Sequence, residues 1–343
     1  MNPLILSSTP DAPVAPDAPR ADFRLLAESL GGTVLSAPKP NDSLLSRIEK
    51  HTAADLRQSI AALRQRRTVS VYVSLSEKVG VPLAFLLPKG RHGRPAHVLI
   101  AHHLTSSNKR VLQKRTGYLS RFDRIIALGT SQEQYLTECG YAGLITRVRH
   151  AVDARFWTPQ MPANGGYLLA VGRERRDYQT LATALRELPD LSCVVVASSP
   201  WSRQGDAANT GDAPANMTFR KGLSYPALRE LYAGASLVVV PLETGTAYAA
   251  GATGCLESMA MAKPTITTAT PGLTDYLTSD ADEPLAQTVR GGDPAALAAS
   301  IRALLADAPE RERLTHAGRQ FVETSANVDD YVSKIAVVVR GAV

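Results

Sequence analysis

Cysteine is scarce in this sequence. The three thiols, Cys139, Cys193 and Cys255, are odd in number and share no metal-ligand spacing. That excludes a disulfide-stapled scaffold and suits a reducing compartment. No run of eighteen apolar residues occurs, so no transmembrane helix is expected. The N-terminus carries Pro and Asp where a secretory leader would carry basic residues and a long apolar core, so a cytoplasmic protein is expected. No tandem repeat is present. Aromatics are few, and no stacking platform accompanies the basic residues, which argues against a nucleic-acid partner.

What is there points to two globular domains. A chain of 343 residues with 44% hydrophobic and 20% charged content is long enough for two cores and ordinary for a globular protein. Charge is placed unevenly. Residues 1–155 carry 22 Lys+Arg against 12 Asp+Glu, while residues 156–343 carry 16 against 20. The basic half either meets something anionic or presents a solvated basic surface.

Periodicity predicts strands alternating with helices, hence parallel sheets with right-handed crossovers. In the first half, strands are expected at 3–8, 33–35, 69–74, 96–102, 124–129 and 147–152. Helices are expected at 21–30 and, as one long amphipathic element, at 44–67. Residues 9–20 read as a loop and 153–166 as an interdomain linker. The alternation resumes from 167 to about 305, with clear strands at 191–198 and 235–241 and a loop at 200–216. Helices at 310–323 and 327–339 end the chain. The expected domains are 1–155, joined by a C-terminal helix at 325–343, and 156–324.

The most informative stretch lies between 223 and 268. Its order is helix, buried strand, glycine-rich loop (Gly251, Thr253, Gly254, Cys255), helix with an early Glu257, proline turn, strand. A glycine-rich loop feeding a helix N-terminus offers free N–H groups and the positive end of a dipole to an anion. Glu257 nearby suits a sugar hydroxyl, because a carboxylate accepts two hydrogen bonds from adjacent hydroxyls.

Leu256–Ala260, Lys263–Pro264, Pro271–Tyr276, Ala170–Arg173 with Arg176–Leu181, and Gly292–Leu297 occur in an order that resembles the glycosyl-transferases group 1 family, the retaining GT-B enzymes of family four. The resemblance covers roughly 95–340 and is strongest over 167–306. It implies two Rossmann-like α/β domains facing across a cleft. It further implies transfer of a sugar from a nucleoside-diphosphate donor with retention, through a front-face mechanism in which the leaving phosphate takes the acceptor's proton. No cofactor beyond the donor substrate and no metal is implied. An epimerase on the same fold and a non-catalytic nucleotide-sugar-binding protein are the rival readings.

Carried onto this sequence, the resemblance gives Glu257 the ribose hydroxyls. Gly172 belongs to the phosphate loop, and Arg173 and Arg176 (with Arg175 as an alternative) to the diphosphate. Fixed cations there stabilise charge that develops on the leaving group. The family's usual first glutamate, eight residues before the second, is Ala249 here; either its role is lost or Glu243 takes it. His102 and His103 follow a buried strand at the end where open sheets bind ligands, and the family has a histidine near the donor's reacting carbon. Ser76–Gly80 opens a helix, as substrate contact or as cap. Asp280 and Asp282 imitate a metal-binding pair but sit in a polar turn. The basic run Lys109, Arg110, Lys114, Arg115, Arg121 and Arg124 is interleaved with apolar residues. It either lies on an anionic surface, such as the inner face of a membrane, or turns its apolar side to the core. The expected partners are a nucleotide sugar and an acceptor, anionic if the basic half binds it.

Overall fold

The computed structural model describes residues 1–10, 15–52, 54–90, 93–197 and 213–343. It divides into two compact units. The first comprises Met1–Ala15, Arg20–Arg149 and Asp329–Val343, the second Pro16–Pro19 and His150–Val328.

Unit one is built on β1 (Pro3–Pro10), β2 (Thr33–Ala37), β3 (Val71–Ser74), β4 (Ala96–Ala101), β5 (Arg124–Ala127) and β6 (Leu144–Arg147). They form one parallel sheet in the order β2-β1-β3-β4-β5-β6. Its helices are α1 (Asp22–Leu30), α2 (Leu44–Thr52), α3 (Leu56–Arg64), α4 (Glu77–Leu86), α5 (Ser107–Thr116) and α6 (Thr130–Glu138). Burial on both faces explains the near-continuous apolar strands. Leu4, Leu6 and Tyr72 pack with Ala62 and Leu83 from the helices, and Leu99, Ala101, Ile125 and Ala127 with Ala84 and Leu136. Just before β4 and β5, Arg94 and Asp123 form an ion pair at 2.8 Å with both side chains buried, and Asp123 also accepts the His97 amide at 2.7 Å.

Three expectations for this half are corrected. The long helix at 44–67 is two helices, because the Asp55 amide donates to Lys78 O at 2.8 Å and Asp55 accepts Ser8 Oγ at 2.7 Å, tying the break to β1 and α4. The apolar positions of α2, Leu44, Leu45 and Ile48, are exposed, while its Glu49 is buried and accepts the Arg57 amide at 2.7 Å, closing the first turn of α3. The last strand lies at 144–147, earlier than its apolar run suggests, because it pairs from Arg124↔Leu144 to Ala127↔Arg147.

Unit two repeats the plan with β7 (Tyr167–Val171), β8 (Cys193–Val196), β9 (Met217–Arg220), β10 (Ala235–Val240), β11 (Thr265–Thr268) and β12 (Gln287–Val289). The parallel order is β12-β11-β10-β7-β8-β9. Its helices are α7 (Tyr178–Arg186), α8 (Tyr225–Gly234), α9 (Ala252–Ala260), α10 (Thr274–Leu277), α11 (Pro294–Ala306) and α12 (Ala308–Ser325). Strand alternation sorts the core into two layers. Leu169, Val171, Val238 and Val240 face α8, α9 and α12, whereas Leu168, Ala170, Leu237 and Val239 face α7 and α11. The stretch read as a linker is partly core: Phe156 and Trp157 are buried, with the Arg229 guanidinium 4.5 Å from the Phe156 ring centroid. Of the loop expected at 200–216, residues 200–212 lie outside the described residues.

The last helix, α13 (Val328–Arg340), groups from Asp329 onward with unit one. Arg20 grips Asp329 with two bonds of 2.7 and 3.1 Å, and Arg340 donates to Ser29 O at 2.9 Å. Among the described residues no helix is long and apolar enough to cross a membrane.

Candidate functional site

In unit two the strand order reverses between β7 and β10, which hydrogen-bond to each other although chain order separates them. Outside the carboxyl ends of such a strand pair the two following loops diverge and leave a crevice. The loop after β7 is residues 172–177, and the loop after β10 is 241–251. They are joined to each other at their bases. Asp177 N donates to Pro241 O at 3.1 Å, and Glu243 N donates to Arg175 O at 2.9 Å. Leu242 N donates to Thr268 Oγ1 at 2.9 Å, which anchors the second loop to β11.

Two glycines set the floor. Gly172 has φ +98°, open to glycine and strained for other residues, and a Cβ there would collide with the Arg176 guanidinium. Gly251, at φ +95°, is the N-cap of α9. Gly254 lies in the first turn, where a Cβ would stand 3.1 Å from Val171 Cγ2, so its absence lets α9 approach β7 closely. The Ala252 and Cys255 amides donate to Ala249 O (3.2 Å) and Gly251 O (3.0 Å). Among the described residues the Thr253 and Gly254 amides have no backbone acceptor at this helix start, the position from which an α-helix donates to an anion.

Arg176 folds back over this floor. Its Nε donates to Val171 O at 2.8 Å and its Nη1 to Glu174 O at 2.7 Å, which places the guanidinium against Gly172 and 3.7 Å from the point a Gly254 Cβ would occupy. Glu257, one turn further along α9, is half-buried and accepts the Tyr232 hydroxyl on Oε2 at 2.8 Å. Burial pushes its carboxyl up to about 7, against the pull of the Tyr232 hydroxyl and the Arg176 charge. Gly172, Arg176, Gly254 and Glu257 therefore share one corner, and Arg173 is half-buried on the same loop.

Other expected site residues are placed differently. Cys255 turns inward: its thiol is fully buried, pushed up to about 11 by that burial, and bonds to Thr267, so it offers a ligand nothing. Glu243 is exposed and paired with Arg175 at 2.7 Å, and Tyr248 donates to Glu174 at 3.0 Å. These two contacts fasten the loops across the crevice rim. Arg175, with φ +53°, thus serves the rim. Ala249 packs against the core.

His102 and His103 belong to unit one, directly after β4. The His103 amide donates to the buried Glu77 carboxylate at 2.7 Å, and Gln132 donates to His102 O at 3.1 Å, so both backbones are held from α4 and α6. Ser76 is the N-cap of α4 and accepts the Lys78 amide at 3.0 Å. The Asp280–Asp282 turn is closed by Ser279 N to Glu283 O at 2.9 Å and a bridge between Thr278 and Pro284. Among the described residues no group of three or more His, Cys, Asp or Glu could hold a metal ion.

Residues 158–321 match the family model described as glycosyl transferases group 1. That segment contains the whole crevice. The part of the chain that builds the crevice is therefore similar to group 1 glycosyltransferases. No curated protein matches its sequence. Among solved structures it is similar to sucrose-phosphate synthase from Thermosynechococcus elongatus, at 20% identity over 99% of each chain with a TM-score of 0.77. It is also similar to HepE of Anabaena in complex with UDP-glucose, at 13% identity, 99% of each chain and a TM-score of 0.70, and to trehalose-6-phosphate synthase OtsA, at 12%, 99% of each chain and 0.71. Identities this low establish the fold, which is GT-B with two Rossmann-like domains.

The residue that sequence reasoning missed is Tyr232. It sits two residues before the end of a helix that runs into a buried strand, and a buried tyrosine hydroxyl usually finds a partner. That was the only signal, and it does not say which partner.

Proposed function

We propose that this chain is a glycosyltransferase that transfers a sugar from a nucleoside-diphosphate donor bound in the unit-two crevice, with retention of anomeric configuration. The observation that carries the reading is the shared corner of Gly172, Arg176, Gly254 and Glu257 at the strand-order reversal, inside the segment that matches the family. Glu257 takes the ribose. The α9 amides, Arg173 and Arg176 take the diphosphate. The similarity to a protein solved with UDP-glucose supports a nucleotide sugar as the ligand class.

In the reaction the glycosidic bond to the β-phosphate oxygen breaks and negative charge accumulates on the diphosphate. Fixed donors aimed at that charge lower the barrier because they need no reorganisation. The departing phosphate oxygen takes the acceptor hydroxyl's proton as the new bond forms on the same face. The basic α5 surface, on which no residue is buried, receives an anionic acceptor or an anionic membrane face.

Calorimetry with a panel of nucleotide sugars tests the donor assignment. A hydrogen bond to a charged group contributes about 1.5–3 kcal/mol, so Glu257→Ala is expected to weaken nucleotide binding roughly 10- to 150-fold. Unchanged affinity would remove Glu257 from the site. Arg173→Ala is expected to lower turnover more than binding; equal turnover at saturating donor excludes that role. Ala249 in place of the family's first glutamate keeps the binding-protein reading in play, and donor hydrolysis by the unmodified chain decides against it.

A further inference from the structure

We propose that Tyr232 is the positioning residue of the nucleotide site: its hydroxyl holds Oε2 of Glu257 and thereby fixes the carboxylate with Oε1 left to accept the donor's ribose. The inference rests on the ribose role of Glu257 given above and adds the group that sets its geometry and ionisation.

Tyr232 is fully buried on the last turn of α8. Its ring is held edge-on by Trp157, centroid to centroid 5.5 Å, and Trp157 is itself 1% exposed and stacked edge-on with Phe156 at 4.9 Å. The α8 end is pinned from the other side by Lys263 Nζ, which donates to Ala233 O at 2.6 Å. A rigid ring with two side-chain torsions thus brings a hydroxyl to a fixed point, 2.8 Å from Glu257 Oε2. A glutamate has three torsions, and ordering it alone on ligand binding would oppose binding. The bond from Tyr232 removes that freedom beforehand and occupies one oxygen. No partner of Oε1 exists among the described residues.

The same bond acts on charge. The ionisable groups acting on Glu257 are Tyr232 from α8 and Arg176 from the loop after β7, while Cys255 on α9 acts on Tyr232. Of these, the Tyr232 hydroxyl and Arg176 favour the carboxylate form against the burial that disfavours it. Removing the hydroxyl keeps the carboxyl protonated to higher pH, and a protonated carboxyl is a poorer acceptor for ribose.

The test uses the full chain and whichever of UDP-, GDP- and ADP-glucose raises its melting temperature most. These diphosphate diesters do not themselves titrate near neutrality. Affinity is measured by calorimetry from pH 5.5 to 8.5. Tyr232→Phe is expected to weaken binding roughly 5- to 10-fold at pH 7, less than the loss of Glu257 itself because the carboxylate remains to accept the ribose, and to move the pH midpoint of binding upward. In a Glu257→Ala background the same change is expected to add nothing. Installing 3,5-difluorotyrosine at position 232 keeps the packing, strengthens the donor and is expected to move the midpoint downward, so the assignment stays testable if Tyr232→Phe folds poorly. If Glu257→Ala weakens binding but neither Tyr232 change moves the midpoint, Tyr232 is only a core residue and the inference is overturned. If Glu257→Ala has no effect, or no donor in the panel binds, the ribose assignment falls and takes the inference with it.

Discussion

Glu257 carries a stability signature that does not depend on any ligand. Its carboxyl is raised from an ordinary 4.5 to about 7, chiefly by burial. Between those values the folded chain holds a proton that the unfolded chain has released, so the stability contributed by the neutral form is complete below about pH 4.5 and is lost as pH rises through about 7. At about 1.4 kcal/mol per pH unit the ceiling is about 3 kcal/mol, and partial exposure of Glu257 brings the expected loss to about 1–3 kcal/mol. Glu257→Gln removes the titration while keeping an acceptor for Tyr232. For a unit of this size about 1 kcal/mol corresponds to about 2–4 °C in melting temperature. Melting curves taken at pH 5 and pH 8 are therefore expected to show the unmodified protein losing roughly 2–12 °C more than Glu257→Gln. Parallel profiles for the two proteins would refute a raised carboxyl at this position, and with it the burial that raises it.

Gly172→Ala places a Cβ at φ +98° and into the Arg176 guanidinium; the expected result is a stability loss of about 1–2 kcal/mol together with nucleotide affinity at least about tenfold weaker, and unchanged affinity by calorimetry would show that Arg176 does not shape the site. Replacing Lys109, Arg110, Lys114 and Arg115 with glutamine is expected to abolish co-sedimentation with anionic vesicles at low salt, where such attraction is strongest, while leaving donor hydrolysis intact. If the unmodified protein ignores those vesicles, α5 faces a soluble anionic acceptor or none.

Much of the fold was legible because parallel α/β architecture writes itself locally. Continuous β-branched runs such as Val194–Val196 and Leu237–Val240 have no stable use except as strands covered on both faces, and the expected helix at 21–30 ends where Gly31 takes φ +61°. Reading failed where distant groups overrode the local pattern. The stretch 44–67 has helical spacing throughout, and the Asp55 amide's bond to Lys78 O together with the Ser8 hydroxyl's bond to the Asp55 carboxylate break it. Phe156 and Trp157 looked like isolated aromatics in a polar linker because the α8 residues that bury them lie some seventy residues away.

For the site, the sequence by itself determined which groups are present and in what order: glycines where backbone must turn or approach closely, a helix start behind them, arginines on the preceding loop and a glutamate one turn on. Those features follow from neighbours a few residues apart, where backbone geometry is dictated locally. Only the tertiary structure decided what each side chain does. Cys255 was drawn inward to Thr267 and Glu243 outward to Arg175, Arg176 was folded over Gly172 and Gly254, and Glu257 was given to Tyr232. Each of these depends on where a separate strand or helix end comes to rest, and that is fixed by the packing of two sheet faces that no local stretch of sequence contains.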